Sequence, residues 1–158
     1  MKNINKIYSI LENGTTYPPV SIEYIENIEK QLNIIFPKEF KIFYTQISNG
    51  FCLDDYTLYN IDEIVYKAKE KYLNKKFQLT NTLFWGDENL PPIEVEYGNI
   101  EVSDMGDGMT WCLIVNSNLL YGTMWFFTEW GIQKCKNDFD FLEWFELWSQ
   151  RKDNELFD

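Results

Sequence analysis

The chain of 158 residues contains no histidine. That removes the Ser-His-Asp and Cys-His nucleophile systems, and with them the commonest transition-metal ligand. Cysteine is scarce: Cys52, Cys112 and Cys135 are odd in number, far apart, and form no C-x-x-C pair. Neither a metal site nor a dithiol redox centre is therefore expected, and buried free thiols in a reducing compartment account for all three. No apolar run approaches the roughly 20 residues that a membrane-spanning helix needs. The N-terminal stretch MKNINKIYSILENG starts basic, but its apolar residues are scattered and it has no small-residue cleavage site. No signal peptide is expected, and the reading is cytoplasmic.

The most informative shortage is of positive charge. Between Lys76 and Lys134 there is no Lys or Arg, yet the interval holds Asp87, Glu88, Glu94, Glu96, Glu101, Asp104, Asp107 and Glu129. The net charge of −11 builds up along the chain. Residues 1–50 carry five basic against five acidic residues, 51–100 five against nine, and 101–158 four against eleven. Such a field repels phosphate backbones and anionic lipids, which argues against nucleic-acid or membrane binding and attracts a basic protein. A plain solvated face is the alternative, although ordinary surfaces intersperse both signs.

What is present is apolar and aromatic: 45% hydrophobic and 18% aromatic residues, enough for one domain spanning 1–158 with a sizeable core. The stretch Ser21 to Gly50 organises it. Ser21 is a candidate N-cap. Ile22, Ile25, Ile28 and Leu32 recur at helical spacing on one face. Pro37 suits the first turn of a second helix, whose stripe is Phe36, Phe40, Phe43, Tyr44 and Ile47. Asn49-Gly50 tolerates the left-handed backbone of a helix end. Before this pair, Ile4, Ile7, Tyr8 and Leu11 mark a short amphipathic helix. After it, a short strand is expected over Tyr56 to Tyr59. Asn60 with Glu63 then opens a helix of Ile61, Ile64, Val65, Ala68 and Tyr72, with Lys67, Lys69, Lys71, Lys75 and Lys76 on its wet side.

From Asn81 the period becomes two. Thr82 to Trp85 reads as a strand. Ile93–Tyr97 and Ile100–Asp104 read as a hairpin around Gly98-Asn99, which sets Glu96 opposite Glu101 on one acidic face. Thr110 to Val115 reads as a buried strand, Leu119 to Phe127 as one or two strand segments, and Ile132 to Cys135 as an edge. Asp138 is expected to cap a closing helix of Phe141, Leu142, Phe145 and Trp148, followed by a frayed tail over Arg151 to Asp158. The fold class is α+β, with N- and C-terminal helices packed on a mainly antiparallel sheet.

Three groups resemble sites. Asp104-Met105-Gly106-Asp107-Gly108 has carboxylates that suit a cation, but it lacks the ligand spacing and terminal Glu of a calcium loop, and a tight turn explains it. Asp104 and Glu129 would serve as an acid–base pair only if brought together. Trp111, Trp125, Phe126, Phe127, Trp130, Trp144 and Trp148 either line a groove or, as is usual at such spacing, form core; Trp130, beside Gly131 in a turn, is the one expected to be exposed.

The ordered set of motifs resembles the SUKH superfamily of SMI1/KNR4-like proteins. The resemblance rests on Ile25 and Glu29, the connector Leu32-Asn33, Phe36-Pro37 with Phe40 and Phe43, and Asn49-Gly50. It continues in Asp107-Gly108 before the Trp111–Val115 strand, Gly122 before Met124-Trp125, and Phe141 with Trp144 and Trp148. Asn33 replaces a usual Gly, and Phe36 a usual Leu. The resemblance implies an α+β fold, no catalytic motif and no cofactor. It also implies an immunity protein that binds and neutralises a bacterial toxin, often a nuclease, or else a regulatory or scaffold module with another protein partner. Together with the charge pattern it makes Asp87, Glu88, Glu94, Glu96, Glu101, Asp104, Asp107, Glu129 and Trp130 the expected partner-binding residues.

Overall fold

The structure is a computed structural model that describes residues 4–86 and 88–158. Its first half is built as the periodicity dictates. Ile4–Leu11 forms α1, and Ile22–Leu32 forms α2, capped by the Ser21 side chain accepting from Tyr24 N at 3.1 Å. Asn33 ends α2 in the left-handed conformation (φ 55°), which Asn tolerates better than most residues. Lys38–Ile42 forms α3 and runs on as a π-helical turn over Phe43–Ile47. Phe36, Phe40, Phe43, Tyr44 and Ile47 are all buried. Ile22, expected on the same face as Ile25 and Ile28, is exposed instead.

Gly50 has a reason to be glycine. Its φ is +98°, and a Cβ there would lie 2.8 Å from the Leu58 carbonyl oxygen. The neighbouring Asn49 side chain accepts from Ile61 N at 2.8 Å, so the end of one helix pair fixes the start of α4, Ile61–Ala68. Asn60 caps that helix through Glu63 N at 2.9 Å.

Eight strands form one sheet in the order β1-β2-β3-β5-β6-β7-β8-β4, every neighbouring pair antiparallel. They are β1 Thr15–Thr16, β2 Phe51–Leu53, β3 Tyr56–Leu58, β4 Leu83–Phe84, β5 Asn99–Gly106, β6 Met109–Ile114, β7 Met124–Thr128 and β8 Gly131–Lys134. The last helix, α5 Phe141–Ser149, starts at Asp140, two residues later than the expected cap Asp138. Asp140 and Glu143 cap each other's backbone reciprocally. Among the described residues, no helix is long and apolar enough to cross a membrane.

Because strand side chains alternate, the sheet has two apolar faces. Ile100, Val102, Trp111, Leu113 and Met124 join the helices in a large core with Phe40, Phe43, Phe141, Phe145 and Trp148. On the other face Cys112, Ile114, Trp125, Phe127 and Ile132 are covered by Phe77 and Trp85 from irregular chain and by Val95 from a single 3-10 turn, not by an α-helix. All the tryptophans except Trp130 are core.

Four expectations are corrected here. The hairpin of Ile93–Tyr97 with Ile100–Asp104 does not form. Ile93–Glu96 is a single 3-10 turn entered from Pro92, and β5 pairs with β6 and β3 instead. The Gly98 carbonyl accepts from Val115 N and Asn116 N at 2.8 and 3.0 Å, while the buried Asn99 amide donates to Val95 O and Tyr97 O at 2.8 Å each. The Tyr97 carbonyl that would close the turn on Ile100 N is taken by the Asn99 side chain, and Gly98 is held by the residues that follow β6. Secondly, α4 stops at Ala68; Tyr72 leaves the helix and pairs with Tyr97. Thirdly, β8 is interior and β4 is the sheet edge. Lastly, the tail is ordered: Leu156 is buried, Phe157 stacks on Trp111 at 5.7 Å, and Lys136 N donates to Leu156 O at 2.9 Å.

Candidate partner-binding face

Three of the acids that the sequence singles out, Glu96, Glu101 and Glu129, meet on the sheet face opposite the layer of α1, α2, α3 and α5. There a cleft of about 410 Å³ is lined by Lys67, Lys71, Trp85, Glu96, Glu101, Gly108, Thr110, Phe127 and Glu129, among others. Ladder register explains the grouping. Glu101 faces Cys112, which faces Trp125, and Thr110 faces Phe127, so these side chains share one face.

The expected residues divide into two sets. Glu96 and Glu101 are structural partners of lysines. Lys71 Nζ lies 3.2 Å from Glu96 and 5.2 Å from the centre of the Phe127 ring. Lys67 Nζ lies 3.7 Å from Glu101, whose carboxylate also accepts from the Tyr59 hydroxyl at 2.8 Å. The unrelieved Glu96–Glu101 pair expected from the hairpin is thus replaced by two ion pairs. A lysine at position 101 would therefore meet Lys67 rather than relieve a repulsion.

The second set is exposed. Asp104 is exposed beside Thr110 on the ladder, and its carboxylate accepts from Gly106 N at 2.7 Å, closing the tight turn. Asp107 is the exposed tip of that turn, with φ 53°. Glu129 lies against Gly108: a Cβ built on the glycine would be 3.5 Å from the Glu129 side chain. Glu94 is exposed on the 3-10 turn whose Val95 and Glu96 reach the cleft, and Glu88 is exposed in the preceding loop. Among the described residues, none of these five has a Lys or Arg within salt-bridge distance. Trp130 is exposed in the β7–β8 turn, as expected. Asp87 lies outside the described residues.

Sequence reasoning missed the lysines. Lys71 is placed by the β-like pairing of Tyr72 with Tyr97, which turns it inward until only 10% of its side chain is exposed. Burial disfavours its ammonium, but the attraction of Cys112 and Glu96 outweighs that and raises its pKa above the ordinary lysine value. Burial also pushes the Cys112 thiol up to about 11, so it is neutral at pH 7, and Glu96 is the working partner there. A neutral, fully buried thiol is a poor nucleophile. Among the described residues, no three His, Cys, Asp or Glu side chains are placed to hold a metal ion. The arrangement presents a negative surface with a cationic floor.

No protein-family model matches the chain, and no curated protein does.

Proposed function

We propose that the chain is an SMI1/KNR4-like immunity protein that acts in the cytoplasm, binding and neutralising a basic protein toxin through the acidic rim of this cleft, without catalysis. One observation carries the reading: Glu129 at the cleft, Asp104 on the same ladder face and Asp107 in the turn that Gly108 sets against Glu129 are all exposed, and among the described residues none of them has a Lys or Arg within salt-bridge distance. Self-repulsion of that kind costs stability, and a basic partner offsets it on binding.

The residues behind the resemblance have concrete structural tasks, which supports it. Glu29 is buried and accepts from Phe36 N at 2.7 Å, with Lys41 at 3.4 Å, so it ties the α2–α3 connector down. Asn33 fills the left-handed position at which a glycine is usual. Asn49-Gly50 joins α3 to α4.

Co-expression with a toxin encoded beside it tests the proposal. Protection should titrate stoichiometrically and weaken when Asp107 and Glu129 are changed to Lys. Protection with turnover, one molecule inactivating many, would overturn it.

A further inference from the structure

A second cavity, of about 680 Å³, opens where the end of α2 meets the β6–β7 connection, and it shares no lining residue with the acidic cleft. Its volume is that of a small-ligand site. The Tyr121 hydroxyl donates to Ile35 O at 2.7 Å and ties the two walls together. Ile34, Ile35, Val115 and Tyr121 give the lining its apolar part, and the fold leaves Ile35 62% exposed. Glu29 also lines the cavity, with a side chain only 7% exposed. Its contacts are one-sided. Oε2 accepts from Phe36 N at 2.7 Å and meets Lys41 at 3.4 Å, while Oε1 has no hydrogen-bond donor among the described residues. Tyr121 faces the same carboxylate: burial raises its pKa first, and the charge of Glu29 raises it further.

We infer that this cavity binds an organic ammonium with a small apolar body. The ammonium donates to Glu29 Oε1, and the body lies against Ile34, Ile35 and Val115. The inference is independent of the acidic-face reading. Charge decides the class of ligand. A carboxylate held out of water with one oxygen lacking a donor is costly, and a charged donor removes that cost through a strong hydrogen bond. Glu26 adds a second carboxylate to the lining, and the carbonyl end of α2, an eleven-residue helix, adds partial negative charge. Lys30 is the one cation of the lining and is exposed, whereas Lys41 meets Oε2 from outside it. An anion would face both carboxylates, and a wholly apolar ligand would leave Oε1 without a donor.

The test titrates the isotope-labelled full chain with benzylamine, and with benzyl alcohol, which has the same ring and no charge. Benzylamine should shift the amide signals of Ile35, Ser117 and Tyr121 saturably. It should bind about tenfold more tightly than the alcohol, the factor that one charge-assisted hydrogen bond supplies. Glu29→Gln keeps an acceptor for Phe36 N and should bind the two probes equally. Ile35→Arg sets another cation at the mouth of the cavity; the side chain is exposed, so its thermal melt should match wild type while benzylamine binding is lost. The peptide acetyl-Ala-Lys-Ala-amide separates the sources of the ammonium. Shifts at the same amides with tighter binding than benzylamine assign it to a lysine of a partner protein, and weaker binding assigns it to a free amine. Equal binding of benzylamine and benzyl alcohol by the wild type overturns the inference. So do binding of neither, an unchanged benzylamine affinity in Ile35→Arg, and shifts confined to the amides around Glu129.

Discussion

The two faces of the sheet are made of similar residues and are closed differently. On the helix face, α3 with its π-helical turn and α5 lay a dense aromatic layer on the strands, to which α1 and α2 add Ile and Leu: Phe40 meets Phe141 edge-on at 5.3 Å, and Trp144 stacks on Trp148 at 4.9 Å. On the other face, Phe77 meets Trp125 at 5.1 Å, but the cover is irregular chain, and charged groups enter beside it. A helix satisfies its own backbone and can seal an apolar face; a loop must keep its polar groups near water. The sealed face holds the fold, and the loosely covered face has room for a cleft and unpaired charge.

The sharpest test of the comparison removes one ring from each face. Phe40→Ala should cost roughly 3–5 kcal/mol, because the helices around it relax little. Phe77→Ala should cost about 3 kcal/mol or less, since the irregular cover can close over the void. Denaturant melts of the two variants measure the difference, and equal losses would break the distinction between a rigid and a soft face.

Glu101→Lys comes next. It deletes the bond from Tyr59 and sets an ammonium against Lys67, so it should destabilise by about 2 kcal/mol in the same melts. Neutrality would mean that the cleft charges are solvated rim and not part of the fold.

A smaller effect belongs to the helix face. Burial raises Asp140 to about 6 from an ordinary 3.8, against the backbone bond from Glu143 that lowers it, and with the Glu143 and Glu39 carboxylates adding to the rise. Between pH 4 and 6 the folded chain then binds more protons at this site than the unfolded chain. Its contribution is present at low pH and lost as pH rises through about 6. Asp140→Asn keeps a cap oxygen and removes the titration. Solvent screening at this partly exposed site leaves roughly 1 kcal/mol, so wild type minus variant stability should fall by about that much from pH 4 to 7.

The least effect on folding is expected at the rim. Glu129→Gln should change stability by no more than about 0.5 kcal/mol. Its consequence should appear as slower association with a basic partner at low salt, fading as salt is raised.

These contrasts show which parts were legible in the sequence. Ser21, Asn60 and the Phe36–Ile47 stripe act within a few residues of themselves, so their caps and faces followed from spacing. Trp130 was recognised as exposed because Gly131 beside it marks a turn. Ile93–Tyr97 misled because strict alternation over five residues also fits a 3-10 turn that buries only Val95. Phe84 gave no sign of exposure, because an aromatic in a strand pattern reads as core until its neighbour across the ladder is known to be a glycine.

Residue order alone determined the Ser21 and Asn60 caps, the Phe36–Ile47 stripe, the α+β class and the long interval without a cation, because each depends on local spacing or on composition. Tertiary structure decided which acids keep a partner. Glu96 and Lys71 are 25 positions apart, Glu101 and Lys67 are 34 apart, and they meet only after β5 has chosen β6 over its own upstream neighbour. Strand pairing is a competition among distant segments for the same backbone hydrogen bonds. Its outcome, and the charge pattern left on the open face, depends on the whole chain at once.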